Sequence, residues 1–308
     1  MKKLEKLRYG DSIGIFSPSC PIDNFNTYVS AKKYLENKGY KIVEGNLTRK
    51  SDYYRSGSIK ERVEELNSLI RNPNIKCIMA TIGGMNSNSL LPYIDYEAFI
   101  QNPKIVIGYS DVTAILLGLY AQTGIPTFYG PPVAEEFWES PLLVDEIYGY
   151  FEDLLVNDLT IPYEISNNEW KTITKGKVRG RLIGGNVETI LGFWGSKYMP
   201  NIKEGDILFI EDDGNASTLE RNFSFLKVNG IFDKISGIIL SKHEFYDDQK
   251  TGRKPYELLL EVLNNENLPI IADFHSRHNR PMVTPIGCYI ELDSTNKKIK
   301  LLEDYLGY

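Results

Sequence analysis

Cysteine and histidine are both scarce in this chain, with three of each in 308 residues. Cys20, Cys77 and Cys288 lie far apart and are odd in number, so no disulfide framework is expected. Cys77 sits inside an apolar run and Cys288 follows Pro285-Ile286-Gly287, which predicts buried free thiols. His243, His275 and His278 lack the acidic or cysteine-rich framing of a zinc site, so no metal is expected. No apolar stretch has the length of a transmembrane helix, and no signal-peptide core follows Lys2-Lys3-Leu4-Glu5-Lys6. A cytoplasmic protein with no membrane partner is the expectation. Basic tracts are also missing, and the formal net charge is -6 with a pI near 5.3. That balance argues against a nucleic-acid polymer as partner. Neither Gly-x-Gly-x-x-Gly nor Gly-x-x-x-x-Gly-Lys-Ser/Thr occurs, which removes two common phosphate cradles.

What is present is an ordinary globular composition, 42% hydrophobic and 25% charged, with twenty tyrosines. The length suits two compact domains. The first half alternates strand and helix. Strands are predicted at 11–17, 41–43, 75–81 and 105–107, and helices at 26–38, 58–70, 96–100 and 112–122. This alternation predicts an N-terminal, mostly parallel α/β domain. Gly130-Pro131-Pro132 and the aromatic segment through Trp138 read as loop, followed by a helix near 141–157. The polar stretch 161–177 reads as a linker, giving domains at 1–165 and 166–308. The second half is predicted to be a smaller, β-rich α/β domain, with strands at 178–183, 206–210, 235–240 and 269–272 and a closing pair at 289–293 and 299–302.

In such sheets functional groups collect at the C-terminal ends of strands, where Ser17, Gly83-Gly84 and Ser110 fall. Ser110 lies in Ile105-Val106-Ile107-Gly108-Tyr109-Ser110-Asp111-Val112, at a strand-to-helix turn that presents a hydroxyl beside backbone N–H donors. A serine there also commonly caps the helix. Acyl transfer needs a base and a carboxylate as well. Glu211 follows the apolar run Ile207-Leu208-Phe209-Ile210 and is the best-placed carboxylate. On chemistry alone the base stays open among His243, His275 and His278. Gly83-Gly84 permits close backbone approach, and N–H groups of Gly84 and Asp111 are candidate oxyanion donors. Gly184-Gly185-Asn186 forms a second close-approach loop.

With these residues assembled, the chain resembles the serine peptidase family of LD-carboxypeptidases and microcin C7 self-immunity proteins. The resemblance runs almost end to end. It is carried by Ile15-Phe16-Ser17-Pro18-Ser19, Ala80-Thr81-Ile82-Gly83-Gly84-Met85-Asn86-Ser87-Asn88 and Asn102-Pro103-Lys104-Ile105-Val106-Ile107-Gly108-Tyr109-Ser110-Asp111. Further matches are Phe128-Tyr129-Gly130-Pro131, Gly180-Arg181-Leu182-Ile183-Gly184-Gly185-Asn186, Leu208-Phe209-Ile210-Glu211-Asp212 and Pro281-Met282-Val283-Thr284-Pro285-Ile286-Gly287. It implies Ser110 as nucleophile, Glu211 as carboxylate and His278 as base, a Ser-Glu-His triad with the oxyanion held by Gly84 and Asp111. It also implies homodimers and no cofactor. Gly83, Asn186, Glu244 and Arg280 are the substrate-contact candidates.

Asn86-Ser87-Asn88 and Lys242-His243-Glu244 lean toward the immunity branch. That branch has His-Thr-His-Pro-Met-Leu-Thr-Leu-Pro-Ile-Gly, whereas this chain has Arg280 at the second histidine and one residue fewer before Pro285. The implied reaction is hydrolysis of an amide bond in a small peptide-like substrate, of the microcin C7 peptidyl- or aminoacyl-nucleotide type. The alternatives are a muropeptide LD-carboxypeptidase and, in another class, an inactive small-ligand binding protein. Trp138, Trp170 and Trp194 are candidates for stacking on a base.

Overall fold

The computed structural model describes residues 3–135, 141–157, 160–243, 245–264, 267–276 and 281–307. In chain order the first half contains β1 (Leu4–Glu5), β2 (Ser12–Phe16), α1 (Phe25–Asn37), β3 (Lys41–Glu44), α2 (Ile59–Arg71) and β4 (Ile75–Ala80). It continues with α3 (Tyr96–Gln101), β5 (Ile105–Gly108), α4 (Thr113–Thr123), β6 (Thr127–Tyr129) and α5 (Pro141–Leu155). The second half contains β7 (Tyr163–Ser166), β8 (Lys171–Thr174), β9 (Lys177–Asn186), α6 (Val187–Leu191), β10 (Ile207–Glu211) and α7 (Ala216–Val228). After these come β11 (Gly237–Ser241), α8 (Pro255–Leu263), β12 (Ile270–Phe274), β13 (Thr284–Ile286), β14 (Tyr289–Asp293), β15 (Lys298–Leu301) and β16 (Leu306–Gly307).

Two sheets organise the molecule. The N-terminal sheet has the order β13-β6-β5-β4-β2-β3, parallel throughout except for antiparallel β13 at its edge. β5 and the last four residues of β4 are buried and apolar on both faces, as expected of strands covered by helices on both sides. The C-terminal sheet has the order β7-β15-β14-β9-β10-β11-β12-β8, with β9 to β12 parallel and the flanks antiparallel. The expected architecture, a parallel α/β domain joined to a β-rich α/β domain, is the one observed.

The differences lie in short strands. Thr127–Tyr129, next to the segment expected as loop, is a strand, because its three residues are fully buried between β5 and β13. The polar stretch expected as linker contains β7 and β8, the two outer strands of the C-terminal sheet. Their partners lie about 100 residues or more away in sequence, and β7 alternates half-buried and exposed positions. An edge strand with one wet face carries the polarity of a linker, so composition alone does not separate the two. β13 carries late sequence into the first sheet, and β1 pairs with β16.

Helix α4 needs no amphipathic pattern, since its residues from Thr113 to Leu119 are all buried. It packs against β5 and β6 of one sheet and β9 and α6 of the other half. Helix α2 starts with a capping box between Ser58 and Glu61. On its inner face Glu65 accepts the backbone N–H groups of Ser17 and Leu47, both at 2.7 Å, tying the end of β2 in place. Burial pushes the Glu65 carboxyl up to about 7, against the opposing effect of those two donors.

A folded-state pKa above the ordinary value of 4.5 means that the folded protein binds more protons between those two values. Stability therefore falls as pH rises from about 4.5 through 7, by on the order of 3 kcal/mol from this residue. Glu65→Gln is expected to flatten this dependence in urea melts run from pH 5 to 8. An unchanged pH slope in the variant would assign the dependence to other groups.

Candidate active site

Strand β5 delivers Tyr109 and Ser110 to the C-terminal edge of the N-terminal sheet, and a single 3-10 turn, Ser110–Val112, hands the chain to α4. Ser110 has φ +53°, a left-handed conformation that costs a non-glycine residue about 1–3 kcal/mol. The Tyr129 hydroxyl holds it there by accepting the Ser110 N–H at 3.0 Å. Ser110 lines a cavity of about 400 Å³ together with Gly83, Gly84, Asp111 and Asn186.

The loop after β4 is fastened by three side chains. Ser19 Oγ accepts the N–H groups of Met85 and Asn86 at 3.0 and 3.1 Å. The Asp111 carboxylate accepts those of Asn86 and Ser87 at 3.0 and 2.9 Å. Burial raises the Asp111 pKa, while the donors from Ser87, Ser19 and Asn86 oppose that rise. The buried guanidinium of Arg62 donates to the Pro18 carbonyl at 2.7 Å, the Gly57 carbonyl at 3.0 Å and Asn86 Oδ1 at 2.6 Å. Asp111 thus offers its N–H next to Ser110 while its side chain fixes the loop that carries Gly84. Sequence reasoning missed Arg62, which reads there as one more charge on a helix.

From the other half, β9 ends at Gly185-Asn186 against the start of α4. Gly185 has φ +147°, and a Cβ there would lie 2.7 Å from Thr113 Cγ2. Only glycine lets the two chains approach so closely. Asn186 N–H donates to Thr113 Oγ1 at 3.1 Å, Asn186 Oδ1 caps α6 through Thr189 N–H at 2.8 Å, and Asn186 Nδ2 donates to Glu211 Oε2 at 2.9 Å. The Tyr129 hydroxyl donates to the same Oε2 at 2.7 Å. Glu211 is 1% exposed at the end of β10. Next to it, burial pushes Asp212 up to about 6, with Asn222 Nδ2 and Gly214 N–H as its donors.

Ser110, Tyr129, Glu211, Asn186 and Thr113 therefore form one hydrogen-bonded circuit across both sheets. Tyr129 was given no role from the sequence. Its one signal there is its place in the matching stretch Phe128-Tyr129-Gly130-Pro131.

Other expected residues have partners of their own. His275 is engaged by Glu169 at 3.2 Å. His243 Nδ1 faces the carbonyl of Ser241 at 2.9 Å, and burial lowers its pKa. Trp170 is fully buried against Phe274, and Trp194 packs edge-on to Phe225, so both are packing residues. His278, Arg280, Glu244 and Trp138 lie outside the described residues. Cys77 and Cys288 are buried free thiols, and Cys20 is a half-buried one on the cavity wall. The described part of that wall carries Asp23, Asp111, Glu135, Glu188 and Asp213 and no lysine or arginine. Among the described residues no helix is long and apolar enough to cross a membrane.

The pattern of the LD-carboxypeptidase N-terminal domain matches residues 13–130, and that of the LD-carboxypeptidase C-terminal domain matches residues 179–292. A Vibrio cholerae protein that carries a carboxypeptidase name is 53% identical, over 96% of both chains. The Escherichia coli microcin C7 self-immunity protein MccF is 47% identical, over 98% of this chain and 96% of its own. The structure of MccF in complex with glutamyl sulfamoyl guanosine superimposes with a TM-score of 0.97, covering 100% of both chains at 44% identity. A second MccF complex, with aspartyl sulfamoyl adenosine, gives a TM-score of 0.95.

A further MccF structure, an active-site mutant, has one serine, one asparagine and one lysine replaced by alanine. This corrects the expected Ser-Glu-His triad of Ser110, Glu211 and His278. The residues replaced in that active-site mutant are a serine, an asparagine and a lysine, with no glutamate or histidine among them. In this chain two donors, Tyr129 and Asn186, converge on Glu211 Oε2.

Proposed function

This chain belongs to the LD-carboxypeptidase family, and from that membership we propose a serine hydrolase that cleaves the amide-type bond of a peptidyl- or aminoacyl-nucleotide of the microcin C7 kind. The observation that carries the reading is Ser110, held in a left-handed turn at the wall of a cavity between the two halves. End-to-end similarity to MccF, including its complexes with aminoacyl sulfamoyl nucleosides, supports this substrate class.

In the proposed reaction Ser110 Oγ attacks the carbonyl carbon, and the Gly84 and Asp111 N–H groups receive the oxyanion. The bond to the leaving nitrogen breaks, the proton given up by the Ser110 hydroxyl leaves on the amine, and water then adds its OH to the acyl carbon and returns its H to Ser110 Oγ. Gly83 and Asn186 line the pocket in which the acyl part sits. The acidic wall, with Asp23 and Glu188 at its rim, complements the ammonium of an aminoacyl group. No step calls for a cofactor. Family resemblance supports a cytoplasmic homodimer as its setting.

The test is a panel of purified substrates. An aspartyl or glutamyl sulfamoyl nucleoside is expected to be hydrolysed at least about tenfold more efficiently than its N-acetylated form. An L,D-tetrapeptide is expected to be a poor substrate. Strong tetrapeptide turnover with an inert nucleoside would move the protein to muropeptide recycling. Binding of the nucleoside without turnover of any substrate would make it a binding protein.

A further inference from the structure

Tyr129 lies at the end of β6, completely buried, with its ring edge-on to Phe209 at 5.1 Å. Its hydroxyl has a forced direction. The Ser110 N–H can only donate, so the phenol oxygen accepts it, and the single phenol proton goes to Glu211 Oε2. One oxygen atom therefore joins the nucleophile's backbone in the N-terminal sheet to a buried carboxylate in the C-terminal sheet. The engagement also takes the Ser110 N–H away from any oxyanion, which leaves that task to neighbouring amides.

Asn186 Nδ2 meets the same Oε2, and its N–H reaches Thr113 Oγ1 at the start of the helix that Ser110 leads into. The circuit closes on the nucleophile turn from both sides. A left-handed serine persists only where its surroundings over-determine it, and among the described residues this hydroxyl is the contact that grips its amide directly.

We propose that Tyr129 is a positioning residue of the hydrolysis. Through its hydroxyl it holds the Ser110 turn and sets the register between the two halves of the site. This rests on the reading of Ser110 as the nucleophile. It acts on the chemical step and not on substrate affinity, because a fully buried hydroxyl touches no substrate.

The test is Tyr129→Phe, which keeps the ring and removes the one oxygen. Expected is a fall in kcat of about 10- to 100-fold with KM within about threefold. Labelling of Ser110 by a fluorophosphonate probe is expected to slow in parallel, and the Ser110 amide hydrogen to exchange faster. Phe209→Leu, which loosens the packing of the same ring and keeps the hydroxyl, is expected to stay within about threefold of wild type in kcat. A Tyr129→Phe enzyme within about twofold of wild type in kcat would overturn the proposal. So would a loss confined to KM, or an equal loss in Phe209→Leu. If wild-type protein is neither labelled at Ser110 nor active, the nucleophile reading itself fails. A Ser110 amide that exchanges no faster in Tyr129→Phe rejects the grip independently of activity.

Discussion

Ser110→Ala is expected to lose hydrolysis by about 10⁴- to 10⁶-fold in kcat, the range seen when a covalent nucleophile is removed. The substitution takes away the Oγ that forms the acyl-enzyme and leaves the rest of the site in place. The backbone N–H stays with Tyr129, and the loop anchors on Ser19, Arg62 and the Asp111 carboxylate do not involve the lost atom. Substrate affinity should therefore persist, and calorimetry on the variant should give a Kd near the wild-type value. Fluorophosphonate labelling should vanish. Turnover within tenfold of wild type would remove Ser110 from the chemistry altogether.

Gly84→Ala is the second large effect, expected to lower kcat by about 10²- to 10³-fold, the scale of losing one oxyanion donor. Gly84 has φ +147°, and a Cβ there would lie 2.2 Å from Ser19 Oγ and 2.5 Å from Ser19 Cβ. Ser19 cannot retreat without releasing the N–H groups of Met85 and Asn86 that its hydroxyl accepts. The added methyl therefore moves the strap that carries the Gly84 N–H, at a stability cost of about 1–3 kcal/mol. The measurement is kcat alongside a thermal melt. A variant that loses stability but keeps wild-type kcat would show that the Gly84 N–H does not meet the oxyanion.

Much of this site is written along the chain. Ile105–Gly108 reads as a buried strand and Ser110 as the residue at its outlet because both signals are local: an apolar run, then a turn into a helix. The pair Gly184-Gly185 before Asn186 likewise announces a close approach, though not what is approached. That turned out to be Thr113. Arg62 and Tyr129 are different. Arg62 looks like any helix cation until three loops close over it, and Tyr129 is one tyrosine among twenty until its hydroxyl is found between Ser110 and Glu211. The expected triad was corrected from outside the chain's own geometry, by the serine, asparagine and lysine replaced in the MccF active-site mutant. A carboxylate after an apolar strand and a histidine in a late loop fit the role by residue type, and residue type alone does not assign a role.

The sequence by itself determined the family, the two α/β halves and the serine at a strand end, because hydrophobic period, glycine punctuation and motif text are local properties. It left β7 and β8 hidden, since each of these edge strands is defined by a partner about 100 residues or more away. Only the tertiary structure decided which polar atoms face each other across the two sheets. Hydrogen-bond partnership is a matter of distance and direction in space, and the five residues of the circuit are spread from position 110 to position 211.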